Sequence, residues 1–170
     1  MAAIGQSDNN YTTVALSRYV TAVASGKKYN YQLMDRIVDA SGKTVKKYKA
    51  DYEDISDTLT DSQWDALHSG MRQVVSTMDR FQGFDIPVAG KTGTAQQTGH
   101  ANHGLFIGYA PYDDPEITIA VRIANGYSSH NAATAARNVI SYYYKETSMK
   151  DIKEMKAAGV NGNTRNSVAD

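Results

Sequence analysis

The chain has 170 residues, a formal net charge of zero and a sequence pI of about 6.9. This length fits one domain with a sizeable core, and the neutral balance of charge excludes the basic surface of a nucleic-acid-binding protein. Cysteine is absent, which excludes disulfide bonds, thiolate metal ligands and cysteine nucleophiles.

An amphipathic helix is the first element that the sequence predicts. Thr12 or Thr13 can cap its start, and Ser25 followed by Gly26 ends it. The apolar positions between them recur at helical spacing: Val14, Leu16, Tyr19, Val20 and Val23. No apolar run in the chain approaches the roughly 20 residues that a membrane-spanning helix needs, so we predict no membrane segment here.

A β-hairpin is predicted next. Residues 33–38 and 44–48 have strand composition and flank residues 39–43, which read as a glycine-containing turn. The lysines of this region are followed directly by acidic residues between 51 and 57. Such mixed charge is typical of a solvated surface, so we expect the hairpin to be peripheral.

A second helix is predicted from a capping box. Thr60 and Gln63 have the spacing at which each side chain caps the backbone of the other. The apolar stripe that follows is Trp64, Leu67, Met71, Val74, Val75 and Met78. Because Trp64 lies on this stripe, we interpret it as a core residue. Gly83 and Pro87 then interrupt the chain.

Residues 88–95 read Val-Ala-Gly-Lys-Thr-Gly-Thr-Ala and carry the most informative chemistry of the sequence. The Lys91 ammonium and the hydroxyls of Thr92 and Thr94 suit an anionic ligand, and the glycines allow close approach to the backbone. A P-loop would need a glycine five positions before Gly90, where the chain has Asp85. We therefore reject nucleotide binding. The other chemistry that uses this run is the Lys-Thr-Gly strand of penicillin-recognising acyl transferases.

Two further strands and a helix complete the predicted fold. Residues 105–109 and 117–123 read as strands, which with the Lys-Thr-Gly strand make an antiparallel meander. Ser129 or Asn131 can cap the final helix. The predicted fold class is α+β, with this antiparallel sheet covered by helices. From residue 147 apolar periodicity is lost, so we predict a flexible polar tail over 147–170.

Four segments in this order resemble the C-terminal part of the transpeptidase domain of class B penicillin-binding proteins. These enzymes belong to the penicillin-binding protein and serine β-lactamase superfamily. The segments are residues 4–6 with 16–19, 70–75, 89–96 and 106–111. The resemblance implies a partial transpeptidase fold over residues 1–146. One departure is Leu105, where such proteins usually carry tryptophan.

The resemblance also implies roles for residues of the motif. Lys91 and Thr94 would be catalytic: the lysine would stabilise anionic groups and assist proton transfer, and the Thr94 N–H would be an oxyanion-hole donor. Thr92, Gly93 and Thr94 would bind substrate. No cofactor or metal is implied. The parent enzyme would bind the D-Ala-D-Ala stem peptide of peptidoglycan and β-lactams, and it would work with cell-wall synthesis proteins.

The nucleophile of this family is a serine in Ser-x-x-Lys, which the resemblance places upstream of residue 4. Ser25 with Lys28 fits that pattern, but at the C-terminal end of a helix the dipole would not assist an alkoxide. Ser7 with Asn9 fits Ser-x-Asn, and we interpret it as a solvated cap loop. We therefore expect a fragment that is inactive alone. Its parent would stand at the extracytoplasmic face of a bacterial membrane, held by an N-terminal anchor absent here.

Two other interpretations stay open from the sequence. The chain could be a non-catalytic binding module that keeps the Lys-Thr-Gly strand as scaffold, or a fragment of a D,D-carboxypeptidase or β-lactamase. Elongation, division and sporulation roles are not separated by the sequence. A metal site at His100, His103 and His130 is rejected because no carboxylate or cysteine stands near the first pair.

Overall fold

The structure is a computed structural model and describes residues 9–154. Its helices and strands, in chain order, are α1 (Thr13–Ser25), β1 (Lys27–Tyr29), β2 (Arg36–Val38), β3 (Thr44–Lys47), β4 (Tyr52–Asp54), α2 (Asp61–Ser76), β5 (Ala89–Ala95), β6 (His103–Ala110), β7 (Ile117–Ile123), α3 (Ser129–Tyr143) and α4 (Met149–Glu154). The segment 4–6, Ser7 and residues 155–170 of the predicted tail lie outside the described residues. The short helix α4 falls at the start of that tail.

The caps of α1 are formed as the sequence predicts. The Thr12 side chain accepts a hydrogen bond from the Ala15 backbone N–H at 3.1 Å. At the other end Gly26 adopts the left-handed conformation, with φ of 66°, and donates its N–H to the Ala22 carbonyl. A residue with a side chain is disfavoured there, which is why the helix stops at this glycine.

The hairpin β2–β3 is confirmed as an exposed antiparallel pair. A second two-stranded pair, β1–β4, was not predicted. Each of its strands has only three residues, most of them charged, so neither shows the apolar alternation that predicts a strand. More than 20 residues of chain separate the two strands, and no local sequence pattern indicates that they pair. Lys28 and Glu53, opposite each other in this pair, form an ion pair.

The capping box of α2 is present, with the Thr60 N–H donating to Gln63 Oε1 at 2.9 Å. The interpretation of Trp64 as a core residue is wrong. Trp64 is half-buried, belongs to neither apolar cluster of the described residues, and donates its indole N–H to the Ser56 carbonyl at 2.8 Å. The buried side chains of α2, Met71 and Val75, lie in its C-terminal half, whereas Trp64 lies in its first turn.

Strands β5, β6 and β7 form the antiparallel meander that the sequence predicts, in the order β5-β6-β7. Helix α3 packs against this sheet. Its cap is Ser128, not Ser129 or Asn131: the Ser128 side chain accepts from the His130 N–H at 3.2 Å. Ser129 is already helical and is 1% exposed, so it has no freedom to act as the cap.

Apolar side chains pack on both faces of the sheet. Phe106 and Ile140 belong to the cluster between the sheet and α3, whereas Val20, Met71 and Tyr109 belong to the cluster formed with α1 and α2. Among residues 9–154, β5 pairs with one strand only, β6, so the Lys-Thr-Gly strand forms an edge of this sheet. None of the described helices is long and apolar enough to span a bilayer.

Candidate active site

The start of β5 is fixed by burial and by two hydrogen bonds. Val88 and Ala89 are fully buried. Arg72 of α2 donates from Nη1 to the Val88 carbonyl at 3.1 Å, and the Tyr112 N–H donates to the Pro87 carbonyl at 2.7 Å. The residues that follow along the strand are therefore held in register with β6 while their side chains become more accessible.

Alternation along the strand separates the predicted site residues between its two faces. Lys91 stands opposite Ile107, and Thr92 stands opposite Phe106 on the other face. Thr94, opposite Gly104, shares the face of Thr92. The structure thus brings the two threonines to one face, and places Lys91 with Gly93 on the other.

Lys91 is exposed and donates from Nζ to the carbonyl of its neighbour Thr92 at 2.8 Å. No acidic side chain forms an ion pair with it among residues 9–154. Its charge is therefore not neutralised by a carboxylate within this part of the chain. A long, flexible cation on an edge strand can reach an anion that approaches along the strand edge.

The two glycines of the motif differ in whether packing requires them. A side chain at Gly90 would place its Cβ 2.5 Å from Phe106 Cζ and 2.6 Å from the Ile107 carbonyl oxygen, so packing requires glycine there. At Gly93 a Cβ would meet only Leu105 Cβ, at 3.6 Å, which is an ordinary contact. Packing within residues 9–154 therefore does not require Gly93, and close approach of a ligand to the backbone remains as a reason for it.

A polar cluster at the far end of β5 was missed by the sequence reasoning. His103 pairs with Ala95, and its ring contacts Gln97, Arg122 and Asn125. Burial, and then the charge of Arg122, lower the pKa of His103 below its usual range. The one available signal was a histidine directly before an apolar strand. Across residues 9–154 no cluster of histidine and acidic side chains suits a metal ion.

The rejected candidate nucleophile is engaged in local contacts. Ser25 donates from Oγ to the Thr21 carbonyl at 2.7 Å, within the last turn of α1. Lys28, the lysine that would have to activate it, pairs with Glu53. A serine and a lysine held by other partners do not form the hydrogen-bonded nucleophile and base that acyl transfer needs.

An apolar cavity of about 670 Å³ lies away from the motif, since no residue of β5 lines it. Aromatic side chains on α1 and α2, among them Tyr19 and Trp64, form part of its wall. We place the candidate active site on β5 because the cavity is lined mostly by apolar and aromatic side chains, whereas β5 carries the lysine and the two hydroxyls of the motif.

The sequence matches the penicillin binding protein transpeptidase domain family over residues 1–141. It is 29% identical over 166 residues to the peptidoglycan D,D-transpeptidase MrdA of Haemophilus influenzae, covering 84% of this chain and 25% of that protein. It is 30% identical over 164 residues to penicillin-binding protein 2B of Streptococcus pneumoniae, covering 84% of this chain and 24% of that protein. The chain thus spans about a quarter of the length of these relatives.

Solved structures show the same fold. Penicillin-binding protein A of M. tuberculosis, in an imipenem acyl-enzyme complex, superposes with a TM-score of 0.72 at 23% identity, covering 83% of this chain and 32% of that one. Penicillin-binding protein 2B of Streptococcus pneumoniae superposes with a TM-score of 0.67 at 25% identity, covering 82% of this chain and 26% of that one. The three-stranded sheet and its helices therefore form part of the fold of these proteins.

Proposed function

The chain belongs to the penicillin binding protein transpeptidase domain family, and from this premise we propose that it contributes the Lys-Thr-Gly wall of a peptidoglycan D,D-transpeptidase active site. The observation that carries the proposal is the edge strand β5, where an exposed lysine without a carboxylate partner among residues 9–154 precedes a glycine that packing does not require. That combination suits a strand along which an anionic peptide substrate lies.

In the proposed reaction, a serine outside residues 9–154 attacks the carbonyl of the penultimate D-Ala of a stem peptide. The Ser–acyl bond forms, the peptide bond to the terminal D-Ala breaks, and that D-Ala leaves with a proton on its amine. An amine of a neighbouring strand then takes the acyl group and restores the serine. β-Lactams acylate the same serine by opening of their ring.

The residues of β5 would have three tasks in this reaction. Lys91 lowers the energy of anionic groups and assists proton transfer. The Thr94 N–H donates to the oxyanion of the tetrahedral intermediate, an interaction whose loss typically costs about 3 kcal/mol of transition-state stabilisation. Thr92, Gly93 and Thr94 hold the terminal carboxylate of the substrate. The division of Lys91 and the threonines between two faces supports separate tasks for the charge and the hydroxyls.

We place the parent protein at the extracytoplasmic face of a bacterial membrane, with the cell-wall synthesis machinery as its partner. The name of one relative, a peptidoglycan D,D-transpeptidase, supports the link to the cell wall. We propose a role in cell shape or in cell division.

Labelling with a fluorescent penicillin tests the function. We expect the 170-residue chain alone to form no covalent adduct, because Ser25 is held within α1 and lacks a free lysine. The parent polypeptide should form one adduct per molecule, measured by intact mass. An adduct on the isolated chain, mapped to Ser7 or Ser25, would overturn the fragment interpretation. A parent polypeptide that forms none would favour a non-catalytic binding module.

A further inference from the structure

We propose that His103 is a positioning residue whose neutral ring holds the turn after β7, residues 124–128, against the end of β5 that carries Thr94. We call this arrangement the lock. Protonation of the ring would release this turn. The lock is a property of the fold and does not depend on the proposed function. Its importance for the candidate site does rest on that function, because Thr94 is the proposed oxyanion-hole donor.

The ring stands between three parts of the chain. His103 opens β6 and pairs with Ala95, the last residue of β5. Its Nδ1 lies 3.0 Å from the Asn125 backbone nitrogen, and its Nε2 lies 2.8 Å from Arg122 Nη2. Gln97, from the loop after β5, also contacts Nε2. One side chain thus joins the end of β5, the start of β6 and the turn after β7.

The hydrogen bond from Asn125 fixes the protonation state that the lock needs. A backbone N–H can only donate, so Nδ1 must accept and must carry no proton. In a neutral ring the remaining proton is then on Nε2. Arg122, whose guanidinium can only donate, therefore makes no hydrogen bond to Nε2 in this tautomer and acts on the ring through its charge. Gln97 can accept the Nε2 proton only through its carboxamide oxygen, which requires the amide orientation opposite to the one in which its nitrogen contacts Nε2. A doubly protonated ring would direct an N–H at the N–H of Asn125. Protonation and this hydrogen bond therefore exclude each other.

The charge that faces the ring disfavours protonation of His103. Arg122 of β7 contributes a positive charge beside Nε2, whereas Gln97 and Asn125 contribute no charge. A second positive charge on the ring is disfavoured by this guanidinium and by partial burial, which together lower the pKa of His103. The neutral form is thus maintained to a lower pH than in an unfolded chain.

The turn that His103 holds needs such a restraint. Asn125 and Tyr127 both have left-handed backbone conformations, with φ of 52° and 65°. This conformation is uncommon for a bulky residue such as Tyr127 and persists only where surrounding contacts fix it. A second bond, from the Tyr127 N–H to the Asn102 carbonyl at 3.0 Å, ties the turn to the residue just before His103.

The turn also touches the strand that supports Thr94. Gly104 stands opposite Thr94, and a Cβ at Gly104 would lie 2.4 Å from the Ser128 carbonyl oxygen. The turn and β6 are therefore in close contact behind the end of β5. Displacement of the turn would alter the support of Thr94, and this connects the state of the ring to the candidate site.

Amide hydrogen exchange of the full 170-residue chain tests the lock. We expect the protection factor of the Asn125 amide to fall by about tenfold per pH unit once the pH is below the pKa of the ring, because only the neutral ring accepts this hydrogen bond. The chemical shifts of the Thr94 and Ala95 amides should change over the same pH range. The amide of Val75, in the buried core, reports global unfolding.

Two variants separate the lock from a general structural role. His103→Asn places an acceptor oxygen near the position of Nδ1 but does not titrate, so Asn125 should stay protected across the acidic range. His103→Ala should lose protection of Asn125 at every pH. His100→Asn, in the exposed loop nearby, is the matched control and should behave like the unchanged chain.

Two results would overturn the proposal. One is a pH dependence of Asn125 protection that is the same in His103→Asn as in the unchanged chain. The other is loss of protection at Asn125 only together with Val75. Neither result depends on acylation by a penicillin, so the lock can fail while the proposed function stands, and the reverse.

Discussion

At the scale of single residues, the candidate site depends on Lys91, the lysine of the Lys-Thr-Gly strand. Among the lysines of residues 9–154, only Lys28 forms an ion pair, with Glu53. Lys91 is exposed on a strand whose start is buried. Within residues 9–154, its amine donates a hydrogen bond only to a backbone carbonyl, that of Thr92. Its charge is available for a ligand and contributes little to packing.

Substitution of this lysine should separate activity from stability. In the parent polypeptide, Lys91→Ala should lower the rate of acylation by a fluorescent penicillin by at least tenfold. The same change should alter the free energy of unfolding by no more than about 0.5 kcal/mol, as expected for an exposed side chain. Lys46→Ala, on the exposed hairpin, is the control and should change neither quantity. Equal losses of acylation and stability would instead mean that Lys91 is structural.

At the scale of one strand, β5 combines a part that folding requires with a part that it does not. Gly90 lies over Phe106, where no Cβ fits, and Gly93 lies beside Leu105, where one does. The change from required to permitted glycine occurs across three residues and coincides with the change from buried to accessible positions. Packing therefore explains Gly90, whereas ligand contact is the proposed explanation of Gly93.

The matched substitutions Gly90→Ala and Gly93→Ala should have opposite consequences. Gly90→Ala should destabilise the 170-residue chain by about 1–3 kcal/mol, because the added methyl overlaps Phe106 and the Ile107 carbonyl. Gly93→Ala should change stability by no more than about 0.5 kcal/mol. In the parent polypeptide Gly93→Ala should nevertheless slow acylation. Thermal unfolding and penicillin labelling measure the two effects, and similar melting of both variants would refute the packing argument.

At the scale of the whole molecule, β7 forms the other edge of the three-stranded sheet, since β6 is its only strand partner among residues 9–154. Beside it, Ile117 and the exposed side chains of Val139, Tyr142 and Tyr143 line an open depression of about 580 Å³. A strand edge with free backbone groups next to an apolar surface is a template for pairing with another chain.

The 170-residue chain should therefore self-associate as its concentration rises. Sedimentation across a concentration series measures this. Val139→Glu places a charge beside the β7 edge and should weaken the association at least tenfold. Val45→Glu introduces the same charge on the exposed hairpin and should leave it unchanged. A stable monomer at the highest concentration would contradict the prediction that the chain associates through the β7 edge.

The sequence by itself determined the features that depend on neighbouring residues. Helix caps at Thr12, Gly26 and Thr60 act within one turn, and the meander follows from short loops between alternating strands. The Lys-Thr-Gly run, read with the later strand, also sufficed for the family. These signals depend on residues close together in sequence, so they can be recognised without knowledge of the fold.

Only the tertiary structure decided which residues meet across the chain. It left Trp64 half-buried, paired β1 with β4, and brought Arg122 to His103. Periodicity predicts that a residue lies on an apolar stripe, but not how far a partner extends along that stripe. Contacts between distant residues depend on the packing of whole elements, for which one sequence carries no local signal.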